Sequence, residues 1–138
     1  SQVCALEDRP SMDPVVVLAL VQGAFYVASA TWALLHVDSF MRVTGAKTDV
    51  WLVKAVAALV LVIGAALLAG AWRGRIGPDL AFLAVGSATA LALVDVYYVV
   101  QGTIARIYLL DALVQALLVA GWVLVLSADA GMPLVPAA

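Results

Sequence analysis

The fold is decided by one stretch of 24 residues, DVWLVKAVAALVLVIGAALLAGAW (residues 49–72), in which only Asp49 and Lys54 are charged. At 1.5 Å per residue this run forms an α-helix of ~36 Å. That length exceeds the ~30 Å hydrocarbon layer of a bilayer. Three further apolar stretches lie at roughly 15–44, 79–101 and 104–127. The sequence therefore predicts four transmembrane helices.

The composition of the whole chain supports the same class. Of its 138 residues, 66% are hydrophobic and 12% are charged, and the mean hydropathy is +1.13. A water-soluble domain of this size cannot bury so much apolar surface in one core. The apolar stretches are continuous runs of Ala, Leu and Val, whereas a membrane β-barrel alternates apolar and polar residues. We therefore expect an all-α membrane protein, with residues 1–138 forming a single four-helix domain.

An internal repeat organises the four helices. A shift of 57 residues places residues 37–64 on residues 94–121. Identical residues then meet at Val37, Asp38, Val43, Gly45, Leu52, Ala55, Leu61, Val62 and Gly64. Similarity at a fixed period indicates a duplicated supersecondary unit. The sequence predicts two tandem helical hairpins, at about 15–72 and 79–127, related by a pseudo-two-fold axis along the membrane normal.

Local signals mark where the helices begin and end. Asp13 precedes Pro14, an acidic N-cap followed by proline at the first helical position. Gly45 and Gly102, which are equivalent in the repeat, are expected to end the first helix of each hairpin. The first helix would then be ~45 Å long. Because it is longer than the hydrocarbon layer, we expect it to tilt or to protrude at its Gly45 end.

Four ionisable residues are predicted to form one charged layer. Asp38 and Lys54 lie at similar distances from the loop of the first hairpin, and Asp95 and Asp111 stand in the same relation in the second. Straight helices would place all four side chains ~8–12 Å below the loops. Since ionised groups are costly in low dielectric, at least one carboxylate must be protonated, bound to a cation or paired with another base. The candidate bases are Arg42, Arg106 and His36.

Within this layer, Asp95 and Asp111 are expected to share a proton, and Lys54 is expected to pair with Asp38. The structural alternative is that the four side chains extend to the lipid headgroups and only anchor the helices.

Two polar stripes supply further candidate residues. Spacings of 4, 3, 4 and 3 residues place one stripe on a single face of the first helix, at Gln22, Tyr26, Ser29, Ala33 and His36. The fourth helix carries Tyr108, Asp111, Gln115 and Trp122. Such faces turn towards another helix or a water-filled cavity, because lipid offers no hydrogen bonds.

Aromatic residues near the helix ends are expected to anchor the protein at the membrane interface. Most of the tryptophans and tyrosines belong to this group, whereas Tyr97 and Tyr98, close to Asp95, are candidates for lining a site. His36 by itself is expected to be a hydrogen-bonded residue at a helix end. The candidate binding residues are therefore Asp38, Lys54, Asp95, Asp111, His36, Tyr98, Gln115, Gln22 and Tyr26.

Several function classes are excluded or disfavoured. Cys4 is the only cysteine, so the chain forms no internal disulfide and has no zinc or iron–sulfur spacing. The net charge of −2 and the lack of a basic stripe argue against a nucleic-acid partner. No sequence motif indicates a cofactor, a metal or a catalytic triad. An enzyme would have to use the aspartates as acid and base.

The distribution of basic residues gives the expected orientation. Arg9, Arg73 and Arg75 lie on one side of the membrane, and the other side has Arg42, Lys47 and Arg106. Because Arg73 and Arg75 form the tighter cluster, we expect both termini in the cytoplasm, with the protein in a bacterial-type inner or plasma membrane.

Three functions remain open at this stage. The first is binding or transport of a proton, a cation or a small polar solute at the charged layer. The second is an accessory subunit whose charges bind the helices of a partner membrane protein. The third is a membrane enzyme acting on a lipid-soluble substrate, with Asp95 or Asp111 as proton donor. Since so short a chain encloses little interior, we expect a homo-oligomer or a complex with a partner subunit.

Overall fold

The computed structural model describes residues 13–45 and 48–131, with side chains described as far as residue 128. Cys4, Arg9 and Lys47 lie outside these residues. Within them the chain is all-helical, with five helices and no strand. The helices are α1 (Pro14–Leu35), α2 (Val37–Thr44), α3 (Val50–Arg73), α4 (Pro78–Val100) and α5 (Tyr108–Gly131).

Four of the helices are long and apolar enough to cross a bilayer. They are α1, α3, α4 and α5, the last over Tyr108–Ala128. Their apolar segments of 21 to 24 residues correspond to ~32–36 Å. The prediction of four long apolar helices is thus confirmed, and the fold is compatible with an integral membrane protein. The fourth begins at Tyr108 rather than at 104, because residues 101–107 form the connecting loop.

Glycines in the left-handed region end three of the helices. Gly45 has φ 104°, Gly74 has φ 68° and Gly102 has φ 76°. L-residues with a Cβ adopt such angles at a cost, so these positions favour glycine. Pro14 occupies the first turn of α1 after the N-cap Asp13, as expected from the sequence.

The predicted first helix is divided in two at His36. This residue has φ −133° and ψ 58°, and α2 starts directly after it. The Ser39 hydroxyl donates to the His36 carbonyl (3.2 Å) and accepts from Trp32 Nε1 (2.7 Å). Side chains that bond locally offer the backbone an alternative to a continuous helix. Asp38 lies in the first turn of α2 and Arg42 lies in its last turn. An acidic residue at the N-terminus and a basic residue at the C-terminus both interact favourably with the helix dipole, which stabilises α2 as a separate helix.

The four long helices form two antiparallel hairpins. The first hairpin consists of α1 to α3 and the second of α4 and α5. Where α1 crosses α3, a Cβ on Gly23 or on Gly64 would lie 2.9 Å from the carbonyl oxygen of the other residue. Both hairpin loops lie at the same end of the bundle, because a Cβ on Gly45 would be 3.6 Å from that of Ala105.

Small residues dominate the interior of the bundle. One buried cluster joins the four long helices through Ala19, Leu67, Ala71, Ala81, Ala84 and Trp122, and a smaller one contains Ala30, Ala33 and Ala57. Larger apolar side chains point outward, among them Trp72 (92% exposed), Phe82 (79%) and Val100 (78%). Apolar surface of this extent suits contact with lipid.

Candidate functional site

The polar face of α1 points into the bundle. Gln22 and Tyr26 are spaced one helical turn apart and are 0% and 1% exposed. Both side chains form hydrogen bonds with α4 or α5. The sequence expectation that these two side chains turn towards other helices is therefore met by their position.

Gln22 links three helices. Its Nε2 donates to the Ala84 carbonyl oxygen of α4 (2.9 Å), and its Oε1 accepts from Trp122 Nε1 of α5 (2.7 Å). Both ends of the amide thus have a partner, as buried polar groups require. Trp122, which shares the stripe of the fourth predicted helix, is 0% exposed and is an internal hydrogen-bond donor.

One turn nearer the hairpin loops, Tyr26 and Gln115 form a second link. The Tyr26 hydroxyl donates to Gln115 Oε1 (2.8 Å) and also interacts with the side chains of Ser87 and Gln22. Gln115 Nε2 donates to Asp111 Oδ1 (3.4 Å), and Gln115 is 1% exposed. This chain of hydrogen bonds leads from α1 to the carboxylate on α5.

The last member of the network is Asp95 on α4. Its side chain is 5% exposed and interacts directly with the carboxyl group of Asp111, which is half-buried. Asp95 Oδ2 is fully enclosed, yet it has no hydrogen-bond partner among the described residues. Buried carboxylate oxygens are normally satisfied. This oxygen therefore has unused capacity to bind a proton or another positive group.

We call Gln22, Tyr26, Asp95, Asp111, Gln115 and Trp122 the polar column. On α5 it extends from Asp111 to Trp122, which is ~16 Å along the helix axis. Alanines with little exposed surface surround it, namely Ala84, Ala88 and Ala112. Side chains of this size let the helices approach closely enough to bring polar groups on three helices into contact.

The other candidate residues lie outside the polar column. Asp38, Lys54 and His36 are exposed on the surface of the chain, and no ion pair joins Asp38 to Lys54. Tyr98 is 42% exposed, and its ring packs edge-on against Tyr97 at 5.1 Å. Their roles in binding stay predictions. Among residues 13–45 and 48–131, no group of three or more His, Cys, Asp or Glu side chains could hold a metal ion.

Trp122 was predicted to lie on the inward stripe of the fourth helix, seven residues after Gln115, but was not among the candidate binding residues. One further residue near the site was not predicted at all. Ser87 interacts with the Tyr26 hydroxyl, but a single serine in a run of small residues gives no comparable signal.

No family model, curated protein or solved structure matches this chain.

Proposed function

We propose that this chain crosses a lipid bilayer four times and binds a proton, a cation or a small polar solute at Asp95 and Asp111, passing it across the membrane. The observation that supports the proposal is the enclosed Asp95 Oδ2, which lacks a hydrogen-bond partner beside a second carboxyl group. Burying an unsatisfied carboxylate is costly. A chain with a purely structural interior would gain by replacing it with an apolar residue.

The location of the two carboxyl groups supports exchange with one side of the membrane. Asp95 lies five residues before the end of α4, and Asp111 lies three residues after the start of α5. These positions correspond to ~5–8 Å from the ends of the helices. Intramembrane ionisable groups that face a bundle interior mark ion and proton pathways. From this end, the polar column continues inward through Gln115 and Tyr26 to Gln22.

The proposal includes the origin of the two hairpins and their orientation in the membrane. The two hairpins arose by duplication of one hairpin. This origin is supported by Gly45 and Gly102, which occupy matching positions in two adjacent loops. Both termini lie in the cytoplasm of a bacterial-type inner or plasma membrane. The chain works as a homo-oligomer or with a partner membrane subunit, since so short a chain encloses little interior.

Proteoliposomes test the transport function. Vesicles with wild-type protein should conduct protons or one of a panel of monovalent cations down an imposed gradient, measured with an internal pH dye or by ion-selective electrode. D111N should reduce the flux at least tenfold, because it removes a charge in contact with Asp95. D79N, which alters an exposed aspartate in the first turn of α4, is the matched control and should retain the flux. Wild-type vesicles no leakier than empty ones would contradict the proposal.

An accessory subunit is the second candidate. Lys54 and Asp38 are exposed on the outside of the chain and form no ion pair with each other, which leaves both available to charged groups of a partner. In that case K54Q should release a co-purifying membrane protein, while D111N should leave the complex intact. If K54Q and D38N both still co-purified with that membrane protein, the accessory-subunit function would be contradicted.

A further inference from the structure

The hydrogen-bond partners of the two carboxyl groups differ. Gln115 Nε2 donates to Asp111 Oδ1, and its orientation is set by the Tyr26 hydroxyl, which donates to Gln115 Oε1. A hydrogen bond from an amide favours the charged form of a carboxyl group. Asp111 is therefore arranged as a hydrogen-bond acceptor.

Asp95 has the opposite surroundings. It is 5% exposed, and no donor reaches its Oδ2. Its carboxyl group lies beside that of Asp111, and two neighbouring carboxyl groups in a buried site share one proton more readily than both ionise. Asp111 is the acidic group that acts on Asp95, and among the other helices Tyr26 of α1 is the titratable side chain that interacts with Asp111.

The same geometry disfavours a metal cation as the occupant. Hard cations take six or more oxygen ligands in most protein sites. Here the two carboxyl groups touch each other, and the nearby amide presents an N–H to Asp111 while its oxygen accepts from Tyr26. No third acidic, histidine or cysteine side chain joins the pair among the described residues.

We propose that the occupant of this site is a single proton resident on Asp95 and shared with the neighbouring Asp111 carboxyl group, with Gln115 and Tyr26 as the positioning residues that hold Asp111 in its acceptor role. This assignment rests on the proposed function and names the species that it binds. Loading adds one proton to the Asp95 carboxylate, and release returns that proton to water, so the step needs no other reactant.

Infrared spectroscopy of the protein in lipid at neutral pH tests the assignment. Wild type should show a carboxylic-acid C=O stretch that moves on exchange into D2O. D95N should lose this band, and D38N should keep it unchanged. D111N should keep the band at a shifted frequency, because the acceptor changes from a carboxylate to an amide. Y26F should also shift it, since the Gln115 amide loses its fixed orientation, whereas a merely structural role for Tyr26 would leave the frequency unchanged.

Each variant must match the helical content and elution volume of wild type before its spectrum is compared. A wild-type spectrum without the band, or a D95N spectrum that retains it, would overturn the assignment. The result is separable from that of the flux assay. Cation flux without the band would preserve the proposed function and reject the proton, whereas the band without flux would preserve the resident proton and reject transport.

Discussion

Residues that the 57-residue shift matches lie in different environments in the two hairpins. The 57-residue shift relates Asp38 to Asp95, yet Asp38 is exposed on α2 and Asp95 is 5% exposed inside the bundle. The backbone also differs, since the first hairpin breaks at His36 and α4 runs without interruption to Val100. A shared sequence pattern therefore does not ensure a shared environment.

Two sequence differences near the aspartates accompany the difference in the backbone. His36 and Ser39 of the first hairpin correspond to Leu93 and Val96 of the second. Ser39 bonds to the backbone and to Trp32 across the break, whereas Leu93 and Val96 offer no competing hydrogen bond. The helix in the second hairpin continues past its aspartate, and Asp95 lies on the same helix face as Ala84 and Ala88.

The largest expected effect concerns another equivalent pair, Gly64 and Gly121. A Cβ on Gly64 would lie 2.9 Å from the backbone oxygen of Gly23, which cannot move without separating α1 from α3. We expect G64A to lower the unfolding free energy by about 1–3 kcal/mol. A Cβ on Gly121 meets only the flexible end of Leu18, at 3.0 Å. G121A should therefore be neutral or stabilising by up to ~1 kcal/mol, through helix propensity.

Thermal or denaturant unfolding in detergent micelles measures both variants. If G121A lowered the unfolding free energy as much as G64A, the difference between the two hairpins could not be attributed to the close contact of α1 and α3.

A smaller effect is expected for the tryptophans. W122F removes the indole donor to Gln22 Oε1 and leaves a small gap in a fully buried position. Interhelical hydrogen bonds in membranes contribute ~0.6 kcal/mol on average and up to ~1.7, so we expect a loss of about 1–2 kcal/mol. W72F, at a residue that is 92% exposed, is the control and should change stability little. Equal losses in the same unfolding assay would argue against the internal role of Trp122.

The smallest effect on stability is expected from making the first hairpin resemble the second. H36L/S39V replaces the residues at the break with their counterparts from α4. Because the competing hydrogen bonds of Ser39 are lost, we expect α1 and α2 to join into one helix, with little change in the melting temperature.

Spin labels on cysteines introduced at the exposed residues Ala28 and Val43, in a C4S background, report this change. A continuous helix places these positions ~22 Å apart along its axis. The H36L/S39V distance should move to this value and its distribution should narrow. A distribution identical to that of the unaltered pair would show that His36 and Ser39 do not cause the break.

The sequence predicted what depends on local patterns. Four apolar runs gave the four long helices, Gly45 and Gly102 marked helix ends, and the spacing of Gln22, Tyr26 and Gln115 placed them on inward faces. The break at His36 was not predicted, because it depends on hydrogen bonds among residues that also occur within helices. The distance of an aspartate from the hairpin loop predicts its depth but not the direction in which its side chain points. That direction depends on the rotation of the helix about its axis, which is set by packing, so the sequence did not predict that Asp95 faces the interior and Asp38 does not.

Neutralising the two equivalent aspartates in turn tests the central claim most directly. In proteoliposomes with equal amounts of protein, D95N should reduce proton or cation flux to the level of empty vesicles, because it removes the group that holds the transported species. D38N removes the same charge from the exposed position and should retain at least half of the wild-type rate. Equal flux from D95N and wild type, or loss of flux in D38N alone, would contradict the assignment of function to the buried carboxyl pair.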